Sequence, residues 1–423
     1  MSVDPHLLDD LEWRGLVAHS TDRDALLAAL SEGSVRYYVG FDPTAPSLHM
    51  GNLVQLVTAR RLQQAGHTPY ILVGGATGMI GDPRDSGERT LNSPETVRSW
   101  TDKVRAQVSA FVSFEGTNGA TVVNNADWTS GLSTIDFLRD IGKHFPVNRM
   151  LARETVRRRL ESGISYTEFS YVLLQSMDFL TLFREHGVTL QFGGSDQWGN
   201  LTGGVELIRR ADGGEAHAFA TPLITKADGT KYGKTEGGAL WLDPAMMAPY
   251  AFHQFWLNVE DEKVGELLRI FTFLSRDDIE ALEARHAEKP FLREAQKVLA
   301  DEVTTLVHGA DETEQAKAAA QALFGTGDIT TLSASTLAAA LGEAGAVELE
   351  PGGGIPGIVD LLTLTGLAQS KGEARRTVSE GGAYLNNVRI DDPEHVPTAR
   401  DLVAGSWLVL RRGKKRFAGV RVG

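Results

Sequence analysis

A parallel-sheet α/β body followed by a helical segment and a small α+β module is the fold class that this 423-residue sequence predicts. The first half alternates short apolar runs with helical periodicity, as strands joined by crossover helices do. Residues 249–306 keep helical periodicity without strand-like runs. The end of the chain changes charge sign. Residues 371–423 carry 11 Lys and Arg against 6 Asp and Glu, a net of +5, which leaves −18 for the rest of a chain whose total is −13. An acidic body with a basic tail points to a localised polyanion contact, not to a protein that coats nucleic acid indiscriminately.

Taken in order, Asp22 to Leu30 reads as a helix capped by Ser20 or Thr21. Val35 to Phe41 reads as a strand that stops at the turn-forming Asp42-Pro43-Thr44, and Leu48 to Gln64 as a helix ending at Gly66. Pro69 to Val73 is a second strand leading into the glycine-rich Gly74-Gly75-Ala76-Thr77-Gly78. Phe169 to Phe183 reads as a helix, and Thr189 to Phe192 as a strand before Gly193-Gly194-Ser195-Asp196-Gln197. In the helical segment Ser275 is a cap, residues 316–345 are rich in Ala, Thr and Gly, and Pro351 to Gly357 is a hinge.

Composition narrows the function. Without cysteine there are no disulfides and no thiolate metal sites, which fits a reducing, cytoplasmic setting. No apolar run approaches the roughly 18–20 residues of a membrane span, and the N-terminus has neither the basic region nor the apolar stretch of a secretory signal.

The most informative segment is Tyr38 to Asn52. A strand ends there, and a helix begins whose first turn carries His49, Gly51 and Asn52. Unpaired amides and the helix dipole at such a place favour an anion, so this is a nucleotide site in outline. Two other glycine motifs are refused. Gly352, Gly354 and Gly357 fit G-x-G-x-x-G, but no strand precedes them and Pro356 intrudes. Gly229 to Thr235 is one residue short of a P-loop, whose length sets how its amides wrap a phosphate. Tyr171, Gln175 and Asp178 fall at i, i+4 and i+7 and share a helix face. That stripe is either an interhelical hydrogen-bond seam or the wall of a pocket. His49 alone is equally a structural helix-start histidine.

Several of these words resemble the class I aminoacyl-tRNA synthetases. His49-Met50-Gly51-Asn52 is similar to their His-Ile-Gly-His signature, and Lys231-Tyr232-Gly233-Lys234-Thr235 to their Lys-Met-Ser-Lys-Ser loop about 180 residues later. Over nearly the whole chain the longer words Gly40-Phe41-Asp42-Pro43-Thr44-Ala45, Val73 to Gly78, Gly193 to Asn200 and Thr225 to Lys231 resemble the bacterial tyrosyl-tRNA synthetase family. The resemblance implies a Rossmann-like catalytic domain over residues 1–225, a mobile loop and connection over 226–248, and a helical anticodon-arm-binding domain over 249–330. It further implies a linker over 331–356 and an α-L-type RNA-binding domain over 357–423.

It also implies activation of L-tyrosine by ATP, with Mg²⁺ accompanying the nucleotide and no structural metal on the protein, and transfer to tRNA(Tyr) by a cytoplasmic homodimer whose interface lies near Tyr166. Tyr38 and Asp178 would hold the phenol, since a phenol both donates and accepts. Asp82, Tyr171 and Gln175 would meet the ammonium, and Gln191 and Gln197 the carboxylate end. Asp42, Gly51 and Asp196 would surround adenosine. Thr44, His49 and Asn52 would serve the phosphates, with Lys231, Lys234 and Thr235 on the mobile loop. Arg209 and Arg210 would meet the acceptor stem, and Lys371, Arg375, Arg376, Arg411, Arg412, Lys414, Lys415 and Arg416 other tRNA phosphates. Asn52 departs from the second histidine of the signature, so it donates a hydrogen bond without a charge. The competing readings are a synthetase-like RNA-binding protein without catalysis, a small-molecule nucleotidylyltransferase and a tryptophan-specific relative. The second leaves the Lys231 loop unexplained, and the third lacks use for Tyr38 with Asp178.

Overall fold

The computed structural model describes residues 3–83, 92–226, 229–230, 232, 234–235, 238–323, 327–350, 354–413 and 416–423. The chain divides into two compact units, Met1–Asp243 with Gly265–Ile279, and Pro244–Val264 with Glu280–Gly423.

The first unit is built on a six-stranded sheet: β1 (His19–Ser20), β2 (Arg36–Phe41), β3 (Thr68–Val73), β4 (Thr121–Asn124), β5 (Leu190–Gly194) and β6 (His217–Thr221). Their order is β1-β6-β5-β2-β3-β4, and every pairing but β1 with β6 is parallel. Parallel strands are covered on both faces, and β2 shows it: Tyr37, Tyr38, Val39 and Phe41 are all buried. From β2 the chain steps outward through β3 and β4, then returns to the other side of β2 as β5. The order therefore reverses between β2 and β5, and the crevice beyond their carboxyl ends is where ligands bind in such sheets. Asp42 follows β2 there, Gly74 follows β3, and Ser195 follows β5.

Local chemistry sets the helix ends. The Arg23–Glu32 helix is capped by Asp22, which accepts from the amides of Asp24 and Ala25; Ser20 and Thr21, the expected caps, lie two residues and one residue too early. The Tyr166–His186 helix runs a turn beyond the expected Phe169–Phe183. Ser165 caps its start, and Gly187, at φ 63°, ends it in the left-handed conformation that glycine adopts without strain. Ser275 accepts from the amide of Asp278, as expected of a cap.

The second unit joins the helices Pro249–Leu257, Glu294–His308, Ala310–Leu323 and Ala334–Glu343 to a five-stranded sheet. Tyr250, Ala316, Ala319, Ala322, Leu337 and Leu341 pack with Val403, Trp407 and Val409 of the basic module in one core. The stretch expected as a linker, 331–356, instead contributes Ala334–Glu343 and the strand Val347–Leu349, which pairs in parallel with Arg416–Val422. Alanines at i, i+3 and i+6 look featureless in sequence, yet their small side chains let helices approach closely.

Candidate active site

Three carboxyl groups line the crevice, and each is met by hydrogen-bond donors. Asp178, buried on the Tyr166–His186 helix, accepts from Trp128 Nε1 at Oδ1 (2.8 Å) and from Asn125 Nδ2 at Oδ2 (3.0 Å). Asp42 accepts from Thr77 Oγ1 at 2.6 Å and from the Tyr171 hydroxyl at 2.7 Å. Asp82 accepts from Gln197 Nε2 at 2.7 Å and Asn200 Nδ2 at 3.2 Å, and Asn200 also donates to Gln197 Oε1 at 2.9 Å. Burial pushes Asp178 up to about 7 against the pull of the Asn125 and Trp128 donors, and pushes Asp82 up to about 6 against the pull of Gln197 and Asn200. Burial, with Asp178 and Asp42 adding to it, keeps the Tyr38 phenol protonated far above its usual range.

Two members of the helix stripe read from the sequence, Tyr171 and Asp178, hydrogen-bond to other elements. Tyr171 and Asp178 turn to one network, and Tyr38 packs against Phe179 with ring centroids 5.4 Å apart. The Tyr38 hydroxyl donates a long 3.4 Å bond to the carbonyl of Gln175. Asp42, assigned to adenosine by resemblance, is tied to the residues assigned to the amino acid. A Cβ on Gly74 would stand 2.0 Å from Asp42 Oδ1, so only glycine lets the β3 loop pass this carboxylate. Gln191 sits beside Tyr38 across the β2–β5 pairing, and its buried Oε1 finds no hydrogen-bond partner among the described residues.

The phosphate end differs. The helix begins at Met50, two residues after the expected Leu48, with His49 as its cap. His49 Nδ1 accepts from the Gly51 amide at 3.0 Å, and Asn52 Oδ1 accepts from the His49 amide at 3.1 Å. An accepting Nδ1 places the proton of the neutral ring on Nε2, at an exposed position. His49 thus caps its helix, as the structural reading of a helix-start histidine expects. Thr44, Gly51 and Asp196 are exposed as well. Lys231 and the side chains of Lys234 and Thr235 lie outside the described residues.

Among the basic residues, Arg209 and Arg210 both pair with Glu206, and Lys371 pairs with Asp360 at 2.6 Å. Arg375 and Arg376 are exposed. Arg412 pairs with Glu373, and the exposed Arg416 donates to the carbonyl of Gly366. Arg411 is buried and lies 3.8 Å from the Tyr384 ring centroid, so it braces the module where the sequence reading gave it a phosphate. Lys414 and Lys415 lie outside the described residues. Sequence reasoning missed Thr77, Asn125, Trp128 and Asn200. The polar pair Asn124-Asn125 directly after Val122-Val123 was the available signal, because polar residues at the carboxyl end of a parallel strand line the crevice.

The family described as tRNA synthetases class I (W and Y) matches residues 30–325, which hold the switch-point crevice, the His49 helix start and the buried carboxylates. The Tyrosine--tRNA ligase SYY-like C-terminal domain matches residues 344–420. The chain is 60% identical to the Tyrosine--tRNA ligase of Streptomyces coelicolor over 420 residues, 98% of this chain and 99% of that one. It is 56% identical to the Mycobacterium tuberculosis protein of the same name over 421 residues, 99% of each. Its fold is similar to a C-terminally truncated Aspergillus nidulans mitochondrial tyrosyl-tRNA synthetase, with a TM-score of 0.67 and 29% identity over 73% of this chain and 92% of that one. The chain belongs to the tyrosine–tRNA ligase family of class I synthetases.

Proposed function

We propose that this chain joins L-tyrosine to ATP, releasing pyrophosphate, and passes the tyrosine from the adenylate to the 3′-terminal ribose of tRNA(Tyr). The observation that carries the reading is Asp178: a buried carboxylate, beside Tyr38, held on both oxygens by donors and so poised to accept a phenol hydrogen. Tyr38 and Asp178 take the phenol. Asp82, Tyr171 and Gln175 surround the ammonium, where Asp82 supplies compensating charge and Asp42 serves this end through its bond to Tyr171. Gln191 and Gln197 steady the carboxylate end. Asp196 and Gly51 border adenosine.

Thr44, His49 and Asn52 receive the phosphates, and Lys231, Lys234 and Thr235 close over them. The tyrosine carboxylate attacks the α-phosphorus while the bond to the β-phosphate breaks. The nucleophile is already ionised, so no general base is required, and catalysis is positioning and charge stabilisation. The donors at this end are nitrogens and hydroxyls, suited to phosphate oxygens, so Mg²⁺ would enter on the nucleotide and neutralise charge on the departing pyrophosphate.

Arg209 and Arg210 serve the acceptor stem, and Lys371, Arg375, Arg376, Arg412, Lys414, Lys415 and Arg416 other tRNA phosphates; Arg411 is withdrawn from this set because it is buried. A homodimer is supported by the apolar side chains exposed between residues 135 and 166, namely Ile135, Leu138, Val147, Leu151, Leu160 and Tyr166. Among the described residues no helix is long and apolar enough to cross a membrane, and we place the enzyme in the cytoplasm with the translation machinery. Tyrosine-dependent exchange of labelled pyrophosphate into ATP tests the function. Exchange with tyrosine, and far less with phenylalanine or tryptophan, is the expected result; none from folded protein overturns it.

A further inference from the structure

The donors around Asp178 set its position and pull toward the ionised form, against the burial that raises its pKa to about 7. Asn125 Oδ1 accepts from the Ala76 amide at 2.8 Å, which orients the side-chain amide. Its two Nδ2 hydrogens then go to Asp178 Oδ2 at 3.0 Å and Thr77 Oγ1 at 2.9 Å. Thr77 in turn commits its hydroxyl proton to Asp42 at 2.6 Å, as Tyr171 does at 2.7 Å. Trp128 Nε1 donates to Asp178 Oδ1 and has no acceptor to offer. Each Asp178 oxygen therefore holds one donor and keeps one acceptor position open, and both donors favour the ionised carboxylate over the protonated acid. The titratable groups that face Asp178 are Tyr38 on β2, Asp42 beyond its end and Tyr171 two turns back on the same helix: two phenols and a carboxylate.

We propose that this pocket reads the protonation state of its substrate's ring hydroxyl, accepting the phenol and rejecting the phenolate, with Asn125 and Trp128 as the positioning residues that hold Asp178 as an acceptor. The inference rests on the reading that Asp178 receives the substrate phenol. A phenolate at that point has no proton to give. It would set a second anion at hydrogen-bond distance from Asp178, with Asp42 close by, in a site from which water is excluded. Tyrosine itself ionises near pH 10, so the filter is invisible with the ordinary substrate. It acts on tyrosines whose ring carries electron-withdrawing groups, such as polyfluorinated or nitrated rings, whose phenols ionise nearer neutrality. Shape complementarity alone would pass a fluorinated ring, because fluorine is little larger than hydrogen.

Exchange measured from pH 7 to 9 with tyrosine and a series from mono- to tetrafluorotyrosine tests this. The ratio of kcat/KM for each analogue to that for tyrosine is expected to fall tenfold per pH unit above that analogue's own phenol pKa. Ultraviolet titration of each analogue with saturating protein, read without turnover, should show the phenolate band displaced to higher pH by a unit or more. Asp178→Asn, whose amide can donate, should abolish that displacement or reverse it. Ratios independent of pH, or a phenolate band unmoved by wild-type protein, would overturn the inference. Absence of exchange with tyrosine itself would instead remove the proposed function, so the two failures are distinguishable.

Discussion

The two ends of the crevice are built in opposite ways. At the phenol end, Asp178, Asn125, Thr77, Asp42 and Tyr171 form one hydrogen-bonded chain in which the direction of every bond is set, and its anchors Asp178 and Asn125 are almost wholly buried. At the phosphate end, His49 and Thr44 are exposed, Asn52 is half-buried, and the other assigned groups sit on the Lys231–Thr235 segment. A rigid, desolvated network discriminates between substrates, because a mismatched group leaves buried partners unpaired. Exposed donors at a helix start can follow a charge that moves during reaction, which is a contribution to rate. The amino-acid end should therefore govern selection and the nucleotide end turnover.

The largest expected effect is Asp178→Asn. It removes the phenol's acceptor and turns an amide toward two donors, so kcat/KM for tyrosine should drop by about 10³, from roughly 4 kcal/mol of lost charged bonding and orphaned donors. Steady-state exchange checks this, and a drop below tenfold would break the comparison. Next comes His49→Ala, which should lower kcat by about 10² with the tyrosine KM unchanged, as loss of one preorganised donor does.

A smaller effect separates the ends by pH. Asp82 and Asp178 have carboxyls raised to about 6 and about 7, so protonation removes acceptors as pH falls through those values. The tyrosine KM should climb between pH 7.5 and 5.5 while the ATP KM stays nearly flat. The same raised values have the opposite sign for stability. Between the unfolded carboxyl pKa of about 4 and the folded values, the native state holds more protons, so these two groups favour folding more as pH falls. The melting temperature of wild type relative to Asp178→Asn should accordingly rise as pH is lowered from 8 toward 5. A pH-independent difference would contradict the raised value.

Much of this was legible in the sequence. The strand Arg36–Phe41, the glycine-rich turn after β3 and the helix face of Tyr171 and Asp178 carry strong local signals, and they mark the crevice correctly. The short strands Thr121–Asn124 and His217–Thr221 escaped, because four or five residues give little periodicity and, in the second, burial within the sheet outweighs the weak strand preference of alanine and histidine. Asn125 and Trp128 escaped with them: their meaning comes from a strand that delivers them to Asp178 from some fifty residues away. The linker reading of residues 331–356 failed because shared packing with Tyr250 and Trp407 is not a local property. For the same reason, deletion beyond Pro351 strips a core along with the proposed tRNA surface, so point variants at Arg375 and Arg376 are the cleaner probe of tRNA charging.

The division between selection and turnover is tested most directly by the tyrosine-to-phenylalanine ratio of kcat/KM in pyrophosphate exchange, measured for wild type, Tyr38→Phe and His49→Ala. Loss of the Tyr38 hydroxyl is expected to lower that ratio roughly five- to tenfold, about 1 kcal/mol, while His49→Ala slows both substrates alike and leaves the ratio unchanged. A ratio that moves as far in His49→Ala as in Tyr38→Phe would contradict the account.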